Sequence, residues 1–443
     1  MTPRTMSAPR PVGQLPGAVG AAASPGQPGG RSLSFCMVTT FYPPYHFGGE
    51  ALYLYRLANQ LALAGHRVTV VHCADSYEML TNANPRGEFP HHENVTVHPL
   101  RTGFRSLSPL VTYLSGRPGL KSPALRDIFA GEDFDVVHFH QMTLFGPGTL
   151  GYGDGAVRLY TTHDHWLVCP MYDLWKNNRE LCEQPACVRC QLTFRRPPQL
   201  WRGTRLLDRA LPNVDLFLSP SRSTIERHRE RGFDYPFRQL PYFFPREETL
   251  PVTSDVASEA ERLAGRRPYF LFVGRLVKIK GLHTLFDVFR HYEGADLLIA
   301  GDGAWGDALR KQAAGLDNVR FLGHVHPQTL RALYRGAIAT LVPSLVYETF
   351  GFITLESLAQ GTPVIARDFG AVAELVRESG GGFTYTDDLE LREAMDTLRL
   401  DADLRGELAE RGHAAYVERW SEEPHLRRYL GLIEEARAAR SAR

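Results

Sequence analysis

The chain reads as an α/β protein with two Rossmann-like domains, each a parallel sheet covered by helices, facing one another across an interdomain cleft. Three observations predict this. Short apolar strands alternate with helical patterns along both halves. The strands are apolar residue after residue, not at every second position, as expected of sheets buried on both faces. At 443 residues the chain is also too long for one compact domain.

In the first half, strands are predicted at residues 33–40, 68–72, 136–139, 159–162 and 216–220. Between the first two, a loop through Gly48 and Gly49 leads into a helix from Glu50 to Ala64. Its residues Ala51, Leu54, Leu57, Ala58 and Leu61 recur at three- and four-residue steps, and Gly65 ends it. The second half repeats the scheme: a strand at 269–273, a helix at 282–291, then strands at 296–300, 319–322, 339–343 and 363–366. The predicted domains are 32–244, with a Cys-containing insertion near 165–210, and 267–419, joined by an acidic, Pro-bearing linker at 245–266. A charged helix at 420–443 is expected to pack back on the first domain. Residues 1–31 are rich in Pro, Gly and Ala without an apolar core segment. They read as a disordered tail and not as a signal peptide.

Fifty basic against forty-nine acidic side chains leave nothing overall for nucleic acid to bind. No apolar run approaches the ~20 residues of a membrane span. A cytoplasmic protein with reduced thiols is expected.

The segment Ser344-Leu-Val-Tyr-Glu348-Thr-Phe350-Gly351-Phe-Ile-Thr-Leu-Glu356 follows an apolar strand and opens a helix. It puts one carboxylate on a loop and another on the helix, with a helix N-terminus between them. Carboxylates accept hydrogen bonds from sugar hydroxyls, and a helix N-terminus attracts phosphate. A nucleotide-sugar presents hydroxyls at both ends and a diphosphate in the middle. The turn Gly274-Arg275-Leu-Val-Lys278-Ile-Lys280-Gly281 leaves a strand and enters a helix, with cations suited to that diphosphate. Alone it reads equally well as a basic surface turn.

Together these motifs resemble a known family. G-R-L-x3-K-G, A-G-D-G at Ala300–Gly303, F-L-G-H-V at Phe321–Val325 and E-x7-E occur in this order in retaining GT-B glycosyltransferases of family GT4. The first half is similar too: P-x4-G-G-E ending at Glu50, then L-A-x2-L-A-x-A-G-H-R-V-T-V, D-V-V-H-F-H at Asp135–His140, and T-T-H-D at Thr161–Asp164. The resemblance spans roughly residues 33–430. The usual asparagine–glycine turn before the second domain is replaced by Pro241-Tyr-Phe-Phe.

The resemblance implies a GT-B fold and transfer of a hexose-type sugar, with retention, from a UDP- or GDP-type nucleotide-sugar. The acceptor would be a glycan, a lipid-linked molecule or a small molecule, as in polysaccharide biosynthesis. By position, Glu356 would bind the ribose and Glu348 the transferred sugar, with the backbone N–H groups of Phe350 and Gly351. Arg275 and Lys280 would hold the diphosphate, Gly49 would complete its pocket, and the backbone near Val325 would meet the base. His140 would stand beside the reacting carbon. Glu50, His163 and Asp164 are acceptor-side candidates; Glu50 reads equally as a helix cap, and Asp164 as a partner orienting a histidine. His138 reads as a packed structural histidine.

Fixed cations and helix N-termini can stabilise a departing diphosphate without a metal. The D-x-D pattern at Asp401–Asp403 lies in a charged helical stretch and reads as surface. Cys169, Cys182, Cys187 and Cys190 fall within twenty-two residues. Their spacing suits a structural zinc site, with an iron–sulfur cluster or unligated thiols as alternatives. Arginines at 195–209 interleave with apolar residues, a pattern that fits an anionic membrane surface or a solvated helix face. The rival functions are a nucleotide-sugar epimerase or phosphorylase, a non-catalytic nucleotide-sugar-binding protein, and a nucleic-acid-binding module built on the cysteines; near-neutral charge and intact donor motifs oppose the last.

Overall fold

A computed structural model of the protein describes residues 31–442 apart from 82–84 and 86. The tail expected over 1–31 therefore lies, except for Arg31, outside the described residues. The strands in chain order are β1 (Ser34–Thr39), β2 (Arg67–Cys73), β3 (Val95–Leu100), β4 (Val136–Phe139), β5 (Val157–Thr161), β6 (Trp175–Lys176), β7 (Glu180–Leu181), β8 (Leu216–Ser219) and β9 (Phe237–Gln239). They continue with β10 (Tyr269–Val273), β11 (Asp296–Ala300), β12 (Val319–Gly323), β13 (Thr340–Val342), β14 (Val364–Arg367) and β15 (Gly382–Tyr385).

They form two wholly parallel sheets, ordered β3-β2-β1-β4-β5-β8-β9 and β12-β11-β10-β13-β14-β15, and one antiparallel hairpin, β6-β7. This is the GT-B pair of Rossmann-like domains. In each sheet the strand order reverses once, at β1/β4 and at β10/β13. Such switch points open a crevice at the carboxyl ends of the strands, where the connecting loops diverge.

The chain divides into two compact units. Among the described residues, the first comprises those up to Pro220, Ile225–Leu240 and those from Leu426; the second comprises Ser221–Thr224 and Pro241–His425. The break falls at 240/241, four residues before the expected position. The segment expected to be a plain linker carries a helix, Ser254–Ala264. That helix buries Ala260 and Ala264 in a core shared with Leu271, Leu298, Leu333 and Tyr334.

Period-two alternation decides the two faces of the second sheet. Phe270, Phe272, Leu297 and Ile299 pack with the helices Leu282–Phe289 and Asp388–Leu400. Leu271 and Leu298 pack on the other face. Five strands escaped the periodicity reading: β3 and β9, which form the two edges of the first sheet, β15 at one edge of the second, and the two-residue hairpin strands β6 and β7. β3 is half exposed and includes Pro99, which only an edge tolerates.

The last helix, Glu422–Ser441, joins the first unit from Leu426 onward. Its Tyr429 ring stacks on Phe35, and Arg437 and Glu435 pair with Asp135 and Arg238.

Candidate active site

The second unit gathers four loops at the carboxyl ends of β10 to β13. The turn after β10 hydrogen-bonds to the loop after β11 through Leu276 N–H to Asp302 O (2.9 Å) and Trp305 N–H to Leu276 O (2.9 Å). It meets the loop after β13 through Leu345 N–H to Ile279 O (2.9 Å). Gly281, with φ of 73°, is required here: a Cβ on it would stand 1.9 Å from Pro343 O. The glycine is what lets the cationic turn and the Glu348 loop touch.

That approach puts Lys280 Nζ 2.6 Å from Glu348 Oε1, and Ser344 Oγ donates to the same oxygen. Glu348 is only 16 % exposed. Burial opposes its charge, but attraction to Lys280, hydrogen bonds from Lys280 and Ser344, and the Arg275 guanidinium outweigh burial. They hold the carboxyl below its ordinary range. Glu348 is thus a fixed anion with one oxygen engaged by cation and hydroxyl.

Glu356 sits one turn into the helix Phe352–Ala359, which starts directly after Gly351 (φ 101°). Its Oε2 accepts from the buried Tyr334 hydroxyl at 3.0 Å. Phe350 is buried between Tyr242 and Phe352, which fixes the backbone before that helix. Val325 lies just past β12, partly buried against the same core as Tyr334. The two carboxylates therefore stand on loop and helix as the sequence implied, with the helix start between them.

In the first unit, Gly49 begins the helix Gly49–Leu63 and Glu50 lies in its first turn. His138 and His140, two residues apart, share one face of the β4 end. His138 is locked by the Tyr429 hydroxyl and Thr161 Oγ1, both at 2.8 Å. His140 Nδ1 lies 2.8 Å from His163 Nε2, while its buried Nε2 has no hydrogen-bond partner among the described residues. Burial, then the neighbouring His138 and His163, pushes His140 well below the ordinary histidine range. Burial lowers His163 to about 3. Both rings are neutral at physiological pH. Burial raises Asp164 to about 6 against the Trp166 N–H and Arg202, and its Oδ1 accepts from Trp166 N–H at 2.8 Å.

The four clustered cysteines are free thiols of unequal exposure: Cys169 and Cys190 are buried, Cys182 is half-buried and Cys187 is exposed. Among the described residues no three His, Cys, Asp or Glu side chains form a group that could hold a metal ion. Cys190 Sγ accepts from Asn177 N–H at 3.3 Å. Asp401 of the D-x-D pattern caps the helix Ala402–Ala415 through Leu404 N–H.

Sequence reasoning missed Ser344, Tyr334 and Tyr429. Tyr334 and Tyr429 carry only a core-like helical pattern in sequence, and Ser344 had no signal beyond its place in the motif.

Comparison with known proteins agrees with this fold. The profile of glycosyl transferases group 1 matches residues 254–414, and that of glycosyltransferase family 4 matches residues 47–241. An uncharacterized glycosyltransferase of Methanocaldococcus jannaschii is 39% identical over 371 residues, covering 79% of this chain and 84% of the relative. The lipopolysaccharide core biosynthesis glycosyltransferase LpsE of Rhizobium meliloti is 33% identical over 229 residues, covering 50% of this chain and 64% of the relative. Sucrose-phosphate synthase from Thermosynechococcus elongatus has the same fold, with a TM-score of 0.71 at 20% identity over 92% of this chain and 100% of that one. So does Anabaena HepE, solved with UDP-glucose, with a TM-score of 0.62 at 17% identity over 93% of this chain and 100% of that one. The chain belongs to the family 4, group 1 glycosyltransferases of GT-B fold.

Proposed function

We propose that this glycosyltransferase moves a hexose-type sugar from a nucleoside-diphosphate donor to a glycan, lipid-linked or small-molecule hydroxyl, with retention and without a metal. The observation that carries this is the Lys280–Glu348 contact at 2.6 Å beside Arg275, with Glu356 eight residues further on. A fixed carboxylate can hold sugar hydroxyls, a second can hold ribose hydroxyls, and Arg275 and Lys280 supply positive charge for the diphosphate between them. The complexes of HepE with UDP and UDP-glucose support a nucleotide-sugar of this type.

In the reaction, the bond from the anomeric carbon to the diphosphate oxygen breaks as the acceptor oxygen bonds that carbon. The acceptor's proton passes to the leaving phosphate. Charge develops on the diphosphate, so preorganised cations lower the barrier without a Lewis acid. Retention follows if the acceptor attacks the face from which the diphosphate leaves. The neutral His140 ring, with Nε2 unpartnered among the described residues, can hydrogen-bond substrate but carries no charge to neutralise the leaving group.

The test is a thermal-shift panel of nucleoside diphosphates and their sugars with and without EDTA. Donor-hydrolysis assays then follow on the compounds that stabilise the protein. Stabilisation and turnover that survive chelation are expected. Activity abolished by EDTA and restored by a divalent cation would overturn the metal-independent reading, and binding without any turnover would make the protein a nucleotide-sugar carrier.

A further inference from the structure

The first unit carries a feature that glycosyl transfer itself does not require. From Asn94 to Arg126 the chain has no acidic residue but five basic ones, and from Gln184 to Leu207 again none against five arginines. In a chain with balanced charge, two such stretches are a local excess. They are also adjacent in space. Tyr113 O accepts from Trp201 Nε1 at 2.9 Å, and Gln191 Oε1 accepts from Gln199 N–H at 3.0 Å and lies 3.5 Å from the Tyr113 hydroxyl. The helices Leu107–Ser115 and Cys187–Thr193 and the turn Leu200–Gly203 thus meet at Tyr113.

The same stretches expose apolar side chains. Phe104, Leu107, Leu110, Leu114 and Leu120 lie open in the first, and Val188, Leu192 and Leu200 in the second. These are eight of the thirteen exposed large hydrophobics among the described residues, a density single surface leucines do not explain. On the helix Leu107–Ser115, the inward positions Ser108, Thr112 and Tyr113 are buried, so Leu107, Leu110 and Leu114 form its outer stripe. Arg117, Arg189, Arg195 and Arg205 are exposed, with no ion pair among the described residues. Arg101 differs, being paired with Glu78.

We propose that this face docks on an anionic lipid bilayer, with the leucine stripe at the headgroup–acyl boundary and the arginines on acidic headgroups. Apolar side chains on a helix flanked by unpaired cations are what an interfacial lipid-binding surface requires. A nucleic acid would use the arginines but leave the leucines in water. A second copy of the chain would bring like charge against like charge. The proposal stands on this unit alone and does not depend on the donor reading.

The full chain is sedimented with vesicles of phosphatidylglycerol mixed with phosphatidylcholine, and with phosphatidylcholine alone. Binding to the first only, weakened by salt, is expected. Arg117→Glu and Arg205→Glu should each reduce it about five-fold or more. The pair Leu110→Glu and Leu114→Glu should abolish it while donor hydrolysis in solution is retained. No sedimentation with anionic vesicles, or unchanged sedimentation of the leucine pair variant, overturns the proposal. A concentration-dependent dimer that the leucine pair variant makes monomeric would overturn it too, and assign the face to contact between copies.

Discussion

Lys280 Nζ and Glu348 Oε1 lie 2.6 Å apart although 68 residues separate them in the chain. They meet because β10 and β13 are neighbours in the sheet although β11 and β12 intervene in sequence. Each residue sits on the loop that leaves one of those strands. The pair is largely buried, at 22% and 16% side-chain exposure, so the interaction is less screened than a surface pair.

Removing the charge from Glu348 tests the sugar-holding role directly. Glu348→Gln should lower kcat roughly 100-fold or more, on the scale of one lost charged contact in a reacting site, and leave nucleoside diphosphate affinity nearly unchanged. Steady-state kinetics with calorimetric titration of the nucleoside diphosphate separate the two. Unchanged kcat would remove the role.

The cation is predicted to govern the acid side of the pH profile. With Lys280 present, the carboxyl of Glu348 titrates below its ordinary 4.5. A lowered folded value means this group's contribution to stability is full above the unfolded value and is lost as pH falls through the folded one. Lys280→Met leaves burial opposed only by Ser344 and Arg275, so the carboxyl should titrate higher. The acid limb of kcat/KM should move upward relative to the parent. A limb that stays in place would show that Glu348 does not report in that range.

Gly281 should not accept a side chain. With φ at 73° and a Cβ 1.9 Å from Pro343 O, Gly281→Ala must separate the two loops. The cost should exceed about 2 kcal/mol, and Tm should fall by roughly 5 °C. Donor binding should weaken more than the Tm shift alone accounts for. Calorimetry and donor titration on the same sample check both.

Tyr334 donates to Glu356 and is predicted to position it. Tyr334→Phe should weaken binding of a nucleoside diphosphate roughly 5- to 10-fold through loss of one hydrogen bond to a charged group. The 2′,3′-dideoxy analogue should lose little, because it offers no ribose hydroxyls to the carboxylate. Equal losses for both ligands would mean the substitution acts on packing alone.

His140 is predicted to act as a neutral ring. With its titration well below 6.5, His140→Gln should lower turnover roughly 10- to 100-fold by a similar factor from about pH 6 to about pH 9. A lowered histidine value also means its folded environment opposes protonation, so this group's contribution to stability falls as pH drops below the ordinary 6.5. A wild-type activity limb near 6.5 that vanishes in the variant would contradict the neutral assignment.

Much of the candidate site's layout was legible because it is local. Glu348, Phe350, Gly351 and Glu356 lie within nine residues, and the strand-to-helix turn that carries them is written in their own pattern. The strands β4, β10 and β11 match their expected bounds because continuous apolar runs have one stable home, a sheet covered on both faces. The edge strands β3 and β9 were illegible because a half-exposed strand with polar alternation resembles a loop.

The cysteine spacing shows a different limit. Sequence gives four thiols within twenty-two residues, but not their burial. The fold leaves Cys187 exposed and Cys190 buried. Burial raises the thiols of Cys169, Cys187 and Cys190, and Cys182 is near enough to raise them further.

By itself the sequence determined the two-domain parallel architecture and which carboxylates and cations are available, since periodicity and short motifs act within about a dozen residues. Only tertiary structure decided the contacts of Lys280 with Glu348, Tyr334 with Glu356 and Tyr429 with His138, and brought together the two acid-free stretches at Tyr113. Each joins residues separated by twenty or more positions in the chain. Their meeting depends on strand order and on which face of a helix is buried, and no local pattern encodes either.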